Sequence, residues 1–295
     1  MTNIKDFTLS LDDLEFVAGD LHRPESILAQ KDGTLTVSDE RGGVTVIKPD
    51  GTQTLRDGLD GTPNGLAMDS AGNIYVANID GGVLQKLTPD GTVEVVLSEI
   101  DGQPLGAVNF VFIDSQDRLW VSVSTRKIPW FAAMLDDEKD GYIVLIEGDS
   151  ARIVADGFDF LNEIRLNADE TYLYAAETLG RRMVRLPVNE DGSLGEREAV
   201  GPDSLGEYAY VDGFALDADG NVWVTLILQN GVAIITPDGD AHVVFEDPNT
   251  PALEIAKAAL DSNTLTPEQM FACVSARLQF PASITFAGDD LRTVY

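Results

Sequence analysis

The chain has 295 residues, a single cysteine, and 50 acidic side chains against 20 basic ones, for a formal net charge of −30. Such a field repels nucleic acid and anionic membranes, and one cysteine excludes an intrachain disulfide framework. No stretch reaches the run of about 18 apolar residues needed to cross a bilayer, and acids interrupt the N-terminus where a secretory leader needs an apolar core, so a cytoplasmic chain is expected.

Residues 5–18 (KDFTLSLDDLEFVA) precede a repeat that occurs six times. The copies read PESILAQKDGTLTVSD from Pro24, PNGLAMDSAGNIYVAN from Pro63, VNFVFIDSQDRLWVSV from Val108, LNEIRLNADETYLYAAE from Leu161, VDGFALDADGNVWVTL from Val211 and PASITFAGDDLRTVY from Pro281. In each, an apolar run reads as a strand, an Asp- or Gly-rich turn reverses it, and a second run rich in β-formers returns. Further hairpins lie between copies, as in GGVTVIKPDGTQTL from Gly42, GGVLQKLTPDGTVEVVL from Gly81 and GVAIITPDGDAHVVF from Gly231. In these, Pro fixes φ and Asp-Gly turns the chain. Each unit thus holds about four strands, the length of a propeller blade. Two insertions interrupt the period. Residues 125–140 (TRKIPWFAAMLDDEKD) follow the third copy's returning strand, and residues 246–280 carry two helix starts, Thr250-Pro251 and Thr266-Pro267.

The expectation is an all-β, six-bladed β-propeller forming one domain over residues 1–295. Residues 5–18 would supply the outer strands missing after Tyr295, and a helical insertion at about 246–280 would separate blades 5 and 6.

The second residue of each copy is Glu25, Asn64, Asn109, Asn162, Asp212 and Ala282, at spacings of 39, 45, 53, 50 and 70 residues. In a propeller the strand that opens each unit lines the central channel, so these positions converge near one mouth. Any one Asn or Asp could simply cap a strand start. Two carboxylates with several amide oxygens make a hard, all-oxygen set suited to Ca²⁺, with Mg²⁺, Mn²⁺, Zn²⁺ or Fe²⁺ as alternatives. His22, three residues before Glu25, lies near the same mouth, either as a helper or as an ordinary surface histidine. No G-x-S-x-G elbow is present, and two histidines leave little room for a serine triad.

This ordered set resembles the SMP-30/gluconolactonase/LRE-like family of regucalcins and sugar lactonases, and more distantly the diisopropyl fluorophosphatases and paraoxonases. The resemblance spans nearly the whole chain and implies a six-bladed propeller with one divalent metal at the channel mouth. Its ligand order, Glu, Asn, Asn, Asp, carries over to Glu25, Asn109, Asn162 and Asp212. Asn162 falls in Leu161-Asn162-Glu163-Ile164, where the family has P-N-G-(I/L), and Asp212 in Val211-Asp212-Gly213-Phe214, where it has P-D-G. Asn64 is then a direct or supporting member. The implied activity is hydrolysis of a lactone or related ester, with the metal as Lewis acid and Asp212 as general base or nucleophile.

One departure concerns the substrate. Sugar lactonases carry an arginine two residues before the Asn of the third unit, and here that residue is Ala107. Phe110, Trp130, Phe131 and Met134 offer apolar contacts nearby, which points to a small-molecule lactone or ester less polar than a sugar lactone. Two other classes stay open: a non-hydrolytic cyclisation or isomerisation in the same pocket, and a non-catalytic, metal-binding regulatory protein.

Overall fold

The structure, a computed structural model, describes residues 4–288 and 290–295. Residues 1–3 of the domain expected over 1–295, and Asp289 of the last repeat copy, lie outside the described residues. Five antiparallel four-stranded sheets follow one another in chain order, each ordered as its strands occur in sequence. The first holds β1 (Ile27–Ala29), β2 (Leu35–Asp39), β3 (Gly43–Ile47) and β4 (Gln53–Asp57). The second holds β5 (Pro63–Met68), β6 (Ile74–Asn78), β7 (Val83–Leu87) and β8 (Val93–Leu97). A small hairpin of β9 (Glu99–Ile100) and β10 (Gln103–Pro104) leads to the third, β11 (Val108–Ile113), β12 (Leu119–Val123), β13 (Gly141–Glu147) and β14 (Ser150–Phe158). The fourth holds β15 (Leu161–Leu166), β16 (Tyr172–Glu177), β17 (Arg182–Pro187) and β18 (Glu198–Val200). The fifth holds β19 (Val211–Leu216), β20 (Val222–Leu226), β21 (Gly231–Ile235) and β22 (Ala241–Glu246). The opening strands of successive sheets lie against one another, β1 on β5, β5 on β11, β11 on β15 and β15 on β19, as in a propeller.

The repeated aspartate has a local cause. Asp69, Asp114 and Asp217 each accept two backbone amides of the turn that follows, plus the side chain of Asn73, Arg118 or Asn221 respectively. Asp114 and Asp217 also accept the indole N–H of Trp120 and Trp223. The carboxylate therefore ties the turn to the returning strand. The core lies between blades. Phe110, Trp120 and Ile143 of the third sheet pack against Ile164, Leu173 and Val184 of the fourth, all buried.

Two expectations need correction. Among the described residues there are five four-stranded blades, not six. The sixth repeat copy supplies only a hairpin, β23 (Phe286–Ala287) with β24 (Thr293–Val294), and Pro281–Thr285 form no strand. The N-terminal segment does not complete it with strands. Ser10 Oγ accepts the Asp12 amide and Asp13 accepts the Ser10 amide, a capping box that coils Leu11–Asp13 into a 3-10 turn. Ile4–Asp6 forms a second such turn. The segment instead docks through one backbone bond, from the Leu9 amide to the Val244 carbonyl at 3.0 Å, and through side chains. Ile4, Phe7 and Leu9 join the cluster of Trp223, Ile234 and Phe286, with Phe7 and Phe286 edge-on to Trp223 at 5.6 and 5.8 Å.

Between the fifth sheet and the terminal hairpin run α1 (Thr250–Asp261) and α2 (Pro267–Phe271). Thr266 caps α2 in a reciprocal pair with Gln269. No helix among the described residues is long and apolar enough to cross a membrane.

Asp39, at the end of β2, is shut off from solvent. Burial pushes its carboxyl up. The Arg41 guanidinium at 2.6 and 2.8 Å, the Thr45 hydroxyl at 2.8 Å and the Arg41 amide outweigh this and hold it at about 2. The folded value lies below the unfolded one of about 3.9, so ionised Asp39 stabilises the fold above about pH 4, by roughly 2 kcal/mol. That contribution is lost as pH falls through about 2. Asp39→Asn should therefore lower Tm at neutral pH, with the gap from wild type narrowing between about pH 4 and about pH 2. A gap of constant size in a calorimetric pH series would contradict this.

Candidate functional site

The opening strands deliver the site through a shared irregularity. The ladder slips between Pro63 and Leu66, Val108 and Phe110, Leu161 and Ile164, and Val211 and Phe214. Each slip brackets the second residue of a repeat copy: Asn64, Asn109, Asn162 or Asp212. A β-bulge re-aims a side chain that regular pairing would place on one blade face. Glu25 reaches the same place just before β1, its amide and that of Ser26 both donating to Ser38 Oγ at 3.1 and 3.0 Å. Glycine follows two of these residues for a steric reason. A Cβ on Gly65 would lie 2.5 Å from the Phe110 Cα, and one on Gly213 would lie 2.4 Å from the Ala282 carbonyl oxygen.

Glu25, Asn64, Asn109, Asn162 and Asp212 thereby line one cleft, together with Gly65, Phe110 and Glu163. The amides are held in fixed orientations. Asn162 Nδ2 donates to Thr178 Oγ1 at 3.2 Å, and that hydroxyl donates to the Val211 carbonyl at 2.7 Å. Asn64 is committed at both ends: its Nδ2 donates to the Asn109 carbonyl at 2.9 Å and its Oδ1 accepts from Arg23 Nη2 at 3.0 Å. Asn64 therefore braces the wall. Asn109 Oδ1, by contrast, is buried with no partner.

Electrostatics points the same way. Burial, and then the carboxylates of Glu25 and Glu163, hold Asp212 well above the usual carboxylate range, against the pull of Arg23 and Asn162. Burial also raises Glu163, opposed by Arg165, Ser283 and the Phe214 amide. Among the described residues no group of three or more His, Cys, Asp and Glu is arranged to hold a metal by itself, so a cation here would depend on asparagine oxygens. The residues fit one: an orphaned amide oxygen and mutually repelling carboxylates share a cleft, and a hard divalent ion satisfies both.

Sequence reasoning missed two members. Glu163 accepts from Ser283 Oγ at 2.5 Å and from Arg165 at 2.9 Å, linking the fourth blade to the sixth repeat copy. Arg23 lies 3.3 Å from Glu25. The signal for Glu163 was visible, since a glutamate stands in Leu161-Asn162-Glu163-Ile164 where Asn64 and Asp212 are followed by glycine.

Other expected residues sit elsewhere. His22 is half-exposed, 3.6 Å from Asp20, and does not line the cleft. Phe110 does line it, beneath the Arg165 guanidinium at 5.0 Å. Trp130, Phe131 and Met134 are drawn instead into a second cluster with Phe160, Tyr210 and the buried face of α1. There Met134, Tyr210, Leu228, Leu253, Leu260 and Met270 border a separate apolar pocket.

A family model described as the SMP-30/Gluconolactonase/LRE-like region matches residues 93–266. The chain belongs to this family. Among solved structures, it is similar to a putative gluconolactonase with a TM-score of 0.69 at 18% identity, covering 94% of this chain and 86% of that one. It is also similar to a calcium-binding regucalcin from Agrobacterium tumefaciens, with a TM-score of 0.63 at 19% identity over 75% of this chain and 73% of the other. At these identities the likeness concerns the fold. A curated family relative, strictosidine synthase-like protein 10 of Arabidopsis thaliana, is 25% identical over 179 residues, 58% of this chain and 46% of the relative. The chain spans about half the length of the curated relatives it first matches.

Proposed function

We propose that the chain opens a lactone or related ester in the cleft of Glu25, Asn109, Asn162 and Asp212, with one divalent cation, Ca²⁺ first, held by those four side chains. The observation that carries this reading is the buried, unpartnered Asn109 Oδ1 facing the same cleft as Glu25 and Asp212. Membership of a family named for gluconolactonase supports the reaction class, and the calcium-binding relative supports the ion. A cation bound there supplies Lewis acidity toward the acyl oxygen. Asp212 takes the proton of the attacking water or attacks the acyl carbon itself. The Thr178 bond fixes the Asn162 amide, and Phe110 forms one wall of the cleft. The substrate is less polar than a sugar lactone. Ala107 brings no charge, and the apolar cluster of Phe160 and Tyr210 begins two residues before Asn162 and Asp212 respectively.

Protein treated with a chelator and then returned to Ca²⁺ should open δ-decalactone only in the second state, and at least tenfold faster than glucono-δ-lactone. The likeness to a strictosidine synthase-like protein supports a second reading, non-hydrolytic chemistry in the same cleft. Tight Ca²⁺ binding with no lactone opened would favour it, or a regulatory role, over hydrolysis.

A further inference from the structure

One further position recurs in every repeat copy, two places before its second residue. In chain order these residues are Arg23, Thr62, Ala107, Phe160, Tyr210 and Phe280. Phe160, Tyr210 and Phe280 belong to a single apolar cluster with α1 and α2. Arg23 is the one cation of the set. Its backbone sits in the left-handed region, φ 47°, directly before Pro24, which is costly for a bulky residue. The side chain bridges Asn64 Oδ1 and Glu25, through Nη2 at 3.0 and 3.3 Å. Its Nη1 is shut off from solvent and has no partner. A buried N–H group without an acceptor is destabilising, more so when charged. Strain and a missing acceptor together mark a group that awaits a ligand oxygen.

We propose that Arg23 is a substrate-anchoring residue: its Nη1 donates to an oxygen of the acyl group, or of the hydroxy acid formed from it, while the substrate's apolar chain lies toward Phe160, Tyr210 and Phe280. The mouth is thus polarised, polar at the first unit and apolar at the fourth to sixth. This orients an amphipathic lactone with its ring at the cleft and its tail under α1. The inference rests on the lactone-opening reading above.

The test uses Ca²⁺-loaded protein with δ-decalactone as substrate and 5-hydroxydecanoate as the product probe. Arg23→Met should raise KM and weaken 5-hydroxydecanoate binding, measured calorimetrically, by at least tenfold, with Arg23→Lys restoring part of both. Ca²⁺ affinity should be unchanged or tighter, because a cation has been removed from beside Glu25. If Ca²⁺ affinity falls in parallel with product binding, Arg23 merely holds Glu25 and the proposal is overturned. It is equally overturned if wild type opens the lactone and Arg23→Met does so with the same KM and product affinity, an outcome that leaves the hydrolytic reading intact. A wild type that binds Ca²⁺ but neither opens δ-decalactone nor binds 5-hydroxydecanoate removes that reading and the anchor together.

Discussion

Asp212→Asn should lower kcat/KM for lactone opening by about 10²–10⁴-fold, the range associated with losing a positioned acid–base group. The substitution keeps the shape of a side chain that is 5% exposed at a bulge. It removes the charge that Glu25 and Glu163 oppose. Melting in the presence of chelator should therefore be unchanged or slightly higher than wild type, since a repulsion among buried carboxylates has been relieved. The stabilisation that added Ca²⁺ gives wild type should shrink or vanish, because an anionic ligand has been lost. Activity and calcium response thus move down while intrinsic stability does not, a combination that general misfolding cannot produce. Full turnover together with unchanged calcium affinity would remove Asp212 from both roles.

The largest stability effect is expected at Glu177. Its side chain is fully buried at the end of β16, where it accepts from Arg182 at 2.7 Å, Arg197 at 3.1 Å and the Asp159 amide at 3.0 Å. Arg197 in turn stacks 3.8 Å above the Phe158 ring and donates to the carbonyls of Asp156 and Gly157. Glu177→Ala leaves two guanidinium groups without their counter-charge. Breaking one side of a buried pair costs about 3–5 kcal/mol, which at about 2–4 °C per kcal/mol for larger domains lowers Tm by roughly 6–20 °C. Glu177→Gln, which retains an acceptor, should cost less. The damage reaches the site, because Glu177 pairs with Leu161, the residue before Asn162. A calorimetric loss under about 1 kcal/mol, the size of an exposed pair, would show that the arginines find other partners.

The repeat made the blades and the ligand ring legible, since turn chemistry and a fixed second position are local properties of each copy. The bulges were not, for a register slip depends on the neighbouring strand. The incomplete last unit was hidden for the same reason. Pro281–Thr285 carries apolar residues suited to a strand, yet among the described residues the strand pairing there is the two-residue match of Phe286 and Ala287 with Val294 and Thr293, flanked by reciprocal backbone bonds of Thr285 and Tyr295. Residues 5–18 alternate well enough for a strand, but Ser10 and Asp13 coil them. Trp130, Phe131 and Met134 read as pocket lining near Phe110. Their packing against α1 required knowing that residues more than a hundred positions later fold back onto them. Arg23 was passed over because an arginine before a proline carries no signal until its neighbours are known.

The docking of Phe7 and Phe286 on Trp223 has a spectroscopic consequence. One indole is flanked by rings from near both chain ends, with its N–H bonded to Asp217. Because side-chain contacts rather than a continuous strand ladder join the termini here, release of either end changes the surroundings of that chromophore before any four-stranded sheet need come apart. Trp223 is therefore a native optical gauge of ring closure, separable from the wholly buried Trp120, which answers when the packing between the third and fourth blades is breached.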